Sequence, residues 1–421
     1  MFEGLSLDQA PPISVVMRFF LSVPIFGIAL SLLMIIAPTE VLTPNHPLSL
    51  AAIHLLFLGI ITMSMIGALF QMQSVLGGRP IPAPAGNAFI IHALLNIGIF
   101  SLAGAFITQA APLYVIAAVL LGSALVYTVF LITPLLIKGG NHSTLRGMLV
   151  ALVSLFIAAL LGIEMADAYA QMSLSTLHTL IRETHYSFAL IGWIGALIIA
   201  VAFQVVEMFY VTTAYSDWCK RNVFRILPAA LALKTLWLFY DLPYVWVFDL
   251  LMAGVLMGFL TTTVRRLRER KRRVSDVSIW FWGTGMGLLL IALVSYMLSL
   301  VSNAEQFVQI ALIAYALFAV SIILGMIGKI VPFLVWFHLN SAGYMDAPIM
   351  SNIIPLKRSQ SLFGLFVLVS VTAIVSVVYP PLLILAGIIA FALFALLGYN
   401  LIGALKLYRY TLDHGTRFEQ V

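Results

Sequence analysis

Residues 54–76 read HLLFLGIITMSMIGALFQMQSVL, an apolar stretch with no charged side chain. A spanning helix needs about 20 mostly apolar residues, so this stretch is long enough to cross a bilayer. Its pattern returns at 187–209, SFALIGWIGALIIAVAFQVVEMF. At a constant offset of 133, Gly59 meets Gly192, Phe70 meets Phe203 and Gln71 meets Gln204. A third copy, GMIGKIVPFL from Gly325, joins at an offset of 258, with Gly67 meeting Gly325 and Gln71 meeting Lys329. Repeats fix architecture before any motif does. The alternative, chance likeness between apolar helices of limited alphabet, does not explain a polar residue at the same inner position each time.

The rest of the chain is of the same kind. Of its 421 residues 62% are hydrophobic and 9% charged, where a soluble domain carries about 25% charge to solvate its surface. Mean hydropathy is +1.09. Lipid is therefore expected to cover most of the surface, and length divides into spans rather than soluble domains. Reading between polar breaks predicts spans at roughly 13–38, 49–76, 86–108, 112–138, 144–166, 180–211, 222–241, 243–264, 277–301, 305–337, 360–379 and 380–405. The repeated stretches are spans 2, 6 and 10, four helices apart. The predicted fold is an all-α membrane protein of twelve transmembrane helices in one domain, 1–421. It is built as three four-helix repeats (about 13–138, 144–264 and 277–405) around a pseudo-three-fold axis.

Alternate loops then sort the charges. One side receives Arg79, Lys138, Arg146, Lys220, Arg221, Arg225, the run 265–273, Lys357, Arg358, Lys406, Arg409 and Arg417. The other receives Arg182 beside Glu164, Asp167 and Glu183. By the positive-inside rule the basic side, with both termini, is cytoplasmic, which suits the inner membrane of a bacterium. The pI near 9.4 is thus a topology signal, and no nucleic-acid partner is expected. The RRLRERKRR run reads either as part of that signal or as a contact for anionic lipid or a partner. The N-terminal MFEGLSLDQAPP lacks the basic region and cleavage site of a signal peptide, so the first span is expected to be retained. The single cysteine, Cys219, allows neither an intrachain disulfide nor a cysteine metal cluster.

Three four-helix arcs are the plan of the heme–copper oxidase catalytic subunit. HLLFLGIITMSMIGALFQM, THYSFALIGW and KIVPFLVWFH resemble stretches of small oxidase-subunit-I-like proteins related to C-family oxidases and nitric oxide reductases. The resemblance implies that His54, early in span 2, holds the position of an axial haem ligand. It also places His185, in Glu183-Thr-His-Tyr, in the copper-ligand region of span 6, where Ser187 stands in place of a second histidine. A histidine inside a membrane is expensive, and neutral imidazole is a ligand suited to haem iron and copper. For both residues the alternative is a ring bonded to a helix carbonyl. His92 and His338, near the inner face, are candidates for a second metal site with Lys329, or else interfacial histidines. His46, His142 and His414 read as solvated, and His178 as interfacial.

The departures matter more. Span 7, RILPAALALKTLWLFYD, has none of the adjacent histidines that hold the oxidase copper, and the outer half of span 10, QFVQIALIAYALFAVSIIL, has no histidine at all. Copper is therefore not expected, nor is a working terminal oxidase or nitric oxide reductase. What the resemblance leaves is a haem b between His54 and His185, or on one of them, with Arg18 as a candidate for the propionates. Six-coordinate iron would suit electron transfer, and five-coordinate iron the binding of nitric oxide or oxygen in a respiratory or stress role. A membrane or periplasmic redox partner and a homo-oligomer are further expectations. Two alternatives stay open: a transporter of a small solute or metal, and an assembly factor for a respiratory complex.

Two charges fall inside predicted spans at matching depth. Lys234 lies in span 7 and Asp249 in span 8, on either side of the Asp241-Leu-Pro turn, and burying either alone costs about 2.5–3.5 kcal/mol on insertion scales. A buried ion pair is predicted. Glu207 in span 6 could pair with Arg18 or serve a proton path.

Overall fold

The computed structural model describes residues 7–140, 142–173, 175–271, 276–302 and 304–418. The start of the N-terminal segment, Met1–Ser6, and Arg272 and Arg273 of the basic run lie outside them. Among the described residues the secondary structure is helical, with no strand. Twelve helices are long and apolar enough to cross a membrane: α1 (Ile13–Ile36), α2 (Pro47–Gly77), α3 (Pro84–Thr108), α4 (Ala111–Lys138), α5 (Ser143–Ala170), α6 (His178–Tyr210), α7 (Asp217–Phe239), α8 (Trp246–Arg268), α9 (Val277–Ser302), α10 (Glu305–Ser341), α11 (Leu356–Val375) and α12 (Leu382–His414). In lipid every backbone polar group must be satisfied internally, which leaves the helix as the available form for such segments.

The helices overrun the predicted spans mainly at polar ends. α12 continues to His414, and α7 starts at Asp217, capped by the Ser216 hydroxyl, which accepts from the Cys219 N–H at 3.3 Å. Hydropathy marks where lipid ends, whereas a helix stops where its caps are. The turn between α7 and α8 carries two non-glycine residues at positive φ, Asp241 (48°) and Tyr244 (65°), on either side of Pro243.

The helices gather into two compact units, each described by itself. One holds α3–α8 with the last turns of α2 from Gln71; the other holds α1, α2 as far as Phe70, and α9–α12. The predicted first repeat, 13–138, is therefore divided between the units. In the second unit the last helix lies along the first: Gly27 faces the Phe394 ring, and Gly387 approaches the Ser31 carbonyl. A Cβ at Gly27 would lie 2.1 Å from that ring, so the absence of a side chain is what lets α12 sit on α1.

The repeated stretches share local features. Within α2, Leu55–Thr62 is π-helical, and within α6 so is Phe188–Gly195, again 133 residues on. The glycines matched at that offset, Gly59 and Gly192, are each pressed against the preceding helix. A Cβ on Gly59 would come within 2.5 Å of Phe26, and one on Gly192 within 2.4 Å of Ser154. Gly67 and Gly325, the α2/α10 pair, each bring a would-be Cβ to 2.8 Å from a phenylalanine Cβ, of Phe19 on α1 and Phe281 on α9. α10 has no π segment, being α-helical from Glu305 to Ser341.

Candidate functional site

His54 is the residue at which α2 turns from α- to π-helix. π-Helical turns are rare and concentrate at functional sites. The half-buried His54 ring is anchored on its own helix, Nδ1 lying 2.7 Å from the Leu50 carbonyl. A carbonyl only accepts, so Nδ1 carries a proton, and in the neutral ring Nε2 then holds the lone pair. That tautomer is the one a metal-bound histidine needs.

His185 ends in the same electronic state by a different route. Its Nδ1 lies 2.8 Å from the Ala158 carbonyl on α5, and its ring covers Gly162, where a Cβ would approach Cε1 to 3.1 Å. This is the arrangement of a histidine bonded to a neighbouring helix, and it keeps the imidazole on α5 within the first unit. His54 belongs to the second unit. The chemistry of an Nδ1-anchored imidazole such as that of His54 is that of an axial haem ligand.

Arg18 stands at a different level of the α1–α2 pair from His54. Its neighbour Phe19 stands opposite Gly67, whereas His54 is thirteen residues before Gly67 on α2. Arg18 is therefore level with the part of α2 about three turns beyond His54, measured along the helix.

The candidates for a second metal site fall in different units. His92, on α3, accepts a hydrogen bond at its carbonyl from the Asn96 side chain (2.7 Å). His338, on α10 of the other unit, packs edge-on to Phe337, and its Nε2 is buried with no hydrogen-bond partner among the described residues. Lys329, their expected companion, forms an ion pair with Asp276 at the foot of α9. Among the described residues no group of three or more His, Cys, Asp or Glu side chains could hold a metal ion. His46, at the partly exposed start of α2, also caps that helix, its Nδ1 accepting from the Leu48 N–H at 3.2 Å.

The charges predicted inside spans 6, 7 and 8 are paired. Lys234 Nζ lies 2.6 Å from Asp249 Oδ1, the two side chains 6% and 15% exposed. The ammonium also stands over the ring of Tyr186, 5.7 Å from its centroid, which adds a cation–π contact beside His185. Glu207 takes Lys220 (2.8 Å) and the backbone N–H of Tyr215 (2.8 Å), folding the α6–α7 loop back onto the helix end. The Tyr215 hydroxyl, 3.0 Å from Thr263 on α8, ties down the same loop, and burial pushes that hydroxyl's pKa up.

Three of these contacts escaped the sequence reading. Asp276 could have been found by depth, since it opens α9 on the side where Lys329 nears the end of α10. Tyr186 over Lys234, and Ala158 behind His185, left no signal, because they depend on how helices are rotated. No protein-family model matches the chain, and no curated protein is significantly similar to it.

Proposed function

We propose that this chain is a haem-b-binding integral membrane protein of oxidase-like architecture that serves electron transfer or gas binding. In this reading it does not reduce oxygen or nitric oxide. The observation that carries the proposal is His54, a membrane histidine held by Nδ1 on the Leu50 carbonyl at the mouth of a π-helical segment. Bound iron would take Nε2 of His54, and the haem would supply the redox or gas-binding chemistry. The chain's part is to fix the ring's tautomer and direction and to surround it with apolar helix. With one cysteine the chain has no C-x-x-C-H attachment, which favours haem b over a covalently bound haem.

The finer architecture belongs to the same proposal. Three four-helix repeats are supported by the matching π segments and by the paired glycine contacts of α2 with α6 and of α2 with α10. Cytoplasmic termini, in a bacterial inner membrane, are supported by the charge sorting.

Full-length protein expressed with haem supplied tests the reading. The wild type should purify with a Soret band, His54→Ala should abolish it, and Arg18→Gln should leave it intact. A colourless wild type, or a band untouched by His54→Ala, would sink the proposal. One observation favours a second reading, transport of a small solute. The Lys234–Asp249 pair under Tyr186 is a buried charge cluster that haem binding does not use. A colourless protein whose solute uptake is lost in Lys234→Met would establish that reading instead.

A further inference from the structure

α8 presents one continuous exposed stripe, Val247, Leu251, Gly254, Gly258, Thr261, Arg265 and Arg268, spaced alternately by four and three residues. Its upper part is apolar, with Val247 and Leu251 each 46% exposed. At Gly254 and Gly258 nothing lies within 4 Å of where a Cβ would be, so the stripe is a furrow down to bare backbone. The furrow runs into a recess of about 360 Å³ lined by Leu260, Thr261, Val264, Arg265, Arg268 and Glu269. Glu269 is shared by Arg265 (2.8 Å) and Arg266 (3.3 Å), whereas Arg268 makes no ion pair among the described residues. The recess thus keeps a net positive charge at the level where the helix leaves the apolar layer.

We infer that this recess binds the phosphate of an anionic diacyl phospholipid of the leaflet on the basic side, with one acyl chain lying in the Gly254–Gly258 furrow. The order of chemistry along α8 matches that of the lipid, apolar above and cationic at headgroup level. A second copy of the chain is the competing occupant, since glycines four apart let helices approach closely. Two copies in one membrane are parallel, however, and pairing along this stripe would set Arg265 and Arg268 of each against the same arginines of the other. Charge complementarity favours the lipid.

Native mass spectrometry of the full chain in detergent, titrated with dioleoyl phosphatidylglycerol, reads both outcomes. The wild type should hold one phosphatidylglycerol in preference to dioleoyl phosphatidylcholine. Arg265→Gln/Arg268→Gln should weaken that adduct roughly 10–30-fold, Arg265→Lys/Arg268→Lys should keep most of it, and Gly258→Leu should weaken it by filling the furrow. Inorganic phosphate should not displace the lipid, because it lacks the chain. Equal binding of the two lipids, or an adduct indifferent to the glutamine variant, would overturn the inference. So would a protein dimer that Gly258→Leu dissociates while lipid adducts persist.

Discussion

Removing one member of the Lys234–Asp249 pair should cost far more than removing both. The pair is 2.6 Å long, with side chains 6% and 15% exposed, so whichever charge remains is left in a poorly solvated place. In Lys234→Met the carboxylate of Asp249 loses its counter-ion. In Asp249→Leu the ammonium keeps, among the described residues, the face of Tyr186, a contact that offsets about 0.5–2 kcal/mol. Breaking a buried pair typically costs 3–5 kcal/mol, and Asp249, the more exposed partner and nearer a helix end, points to the lower figure. Each single variant is therefore expected to lose about 3 kcal/mol. Lys234→Met/Asp249→Leu, which leaves no charge to solvate, should lie within about 1 kcal/mol of the wild type. The coupling read from the cycle is then roughly 5–7 kcal/mol, at the upper end of the range found for close charge pairs. Equilibrium unfolding in mixed detergent–dodecyl sulfate micelles, followed by circular dichroism, measures all four proteins. Single-variant losses that simply add to give the double would show that the two charges are solvated separately, and the argument from burial would fail.

Two further outcomes follow from the packing and the charges. Gly59→Ala and Gly192→Ala each push a methyl into the preceding helix, against Phe26 and Ser154, and should destabilise by a similar 1–3 kcal/mol or so in the same unfolding assay; a large difference between them would argue against the equivalence of α2 and α6. At the foot of α9, burial pushes the Asp276 carboxyl up, but the Lys329 ammonium with the N–H and hydroxyl of Ser278 outweighs it and holds the carboxyl below the ordinary carboxylate range. A depressed folded-state pKa stabilises above the unfolded value of about 3.9 and is lost as pH falls through the folded one, so wild type should lose stability relative to Asp276→Asn below about pH 4. Parallel acid-unfolding curves for the two proteins would remove Asp276 from the account.

The number and placement of the helices were legible in the sequence because each is a local property. Apolar length is measured against the thickness of a bilayer, and a stretch such as 54–76 meets that measure with no help from its neighbours. The 133-residue offset was legible too, and the π-helical segments at 55–62 and 188–195 fall on it. The Lys234–Asp249 contact could be argued from depth alone, because a tight turn between α7 and α8 fixes which residues are level.

What the tertiary structure decided is the facing of each helix. Soluble helices mark their buried side by an apolar stripe, but here lipid and protein interior are equally apolar and no stripe distinguishes them. The sequence could therefore place His185 in the first turns of α6 without showing that its ring turns onto the Ala158 carbonyl of α5. It could mark Arg18 and His54 as polar residues on neighbouring spans, but only the contact of Phe19 with Gly67 sets Arg18 level with a part of α2 well beyond His54. That α12 closes onto α1, dividing the first predicted repeat between two units, rests on Gly27 meeting Phe394, a contact between residues at opposite ends of the chain. Hydropathy and spacing along the chain thus determined twelve helices and their order. Rotation about the helix axes, set by where a glycine lets a neighbour approach, decided which polar groups meet.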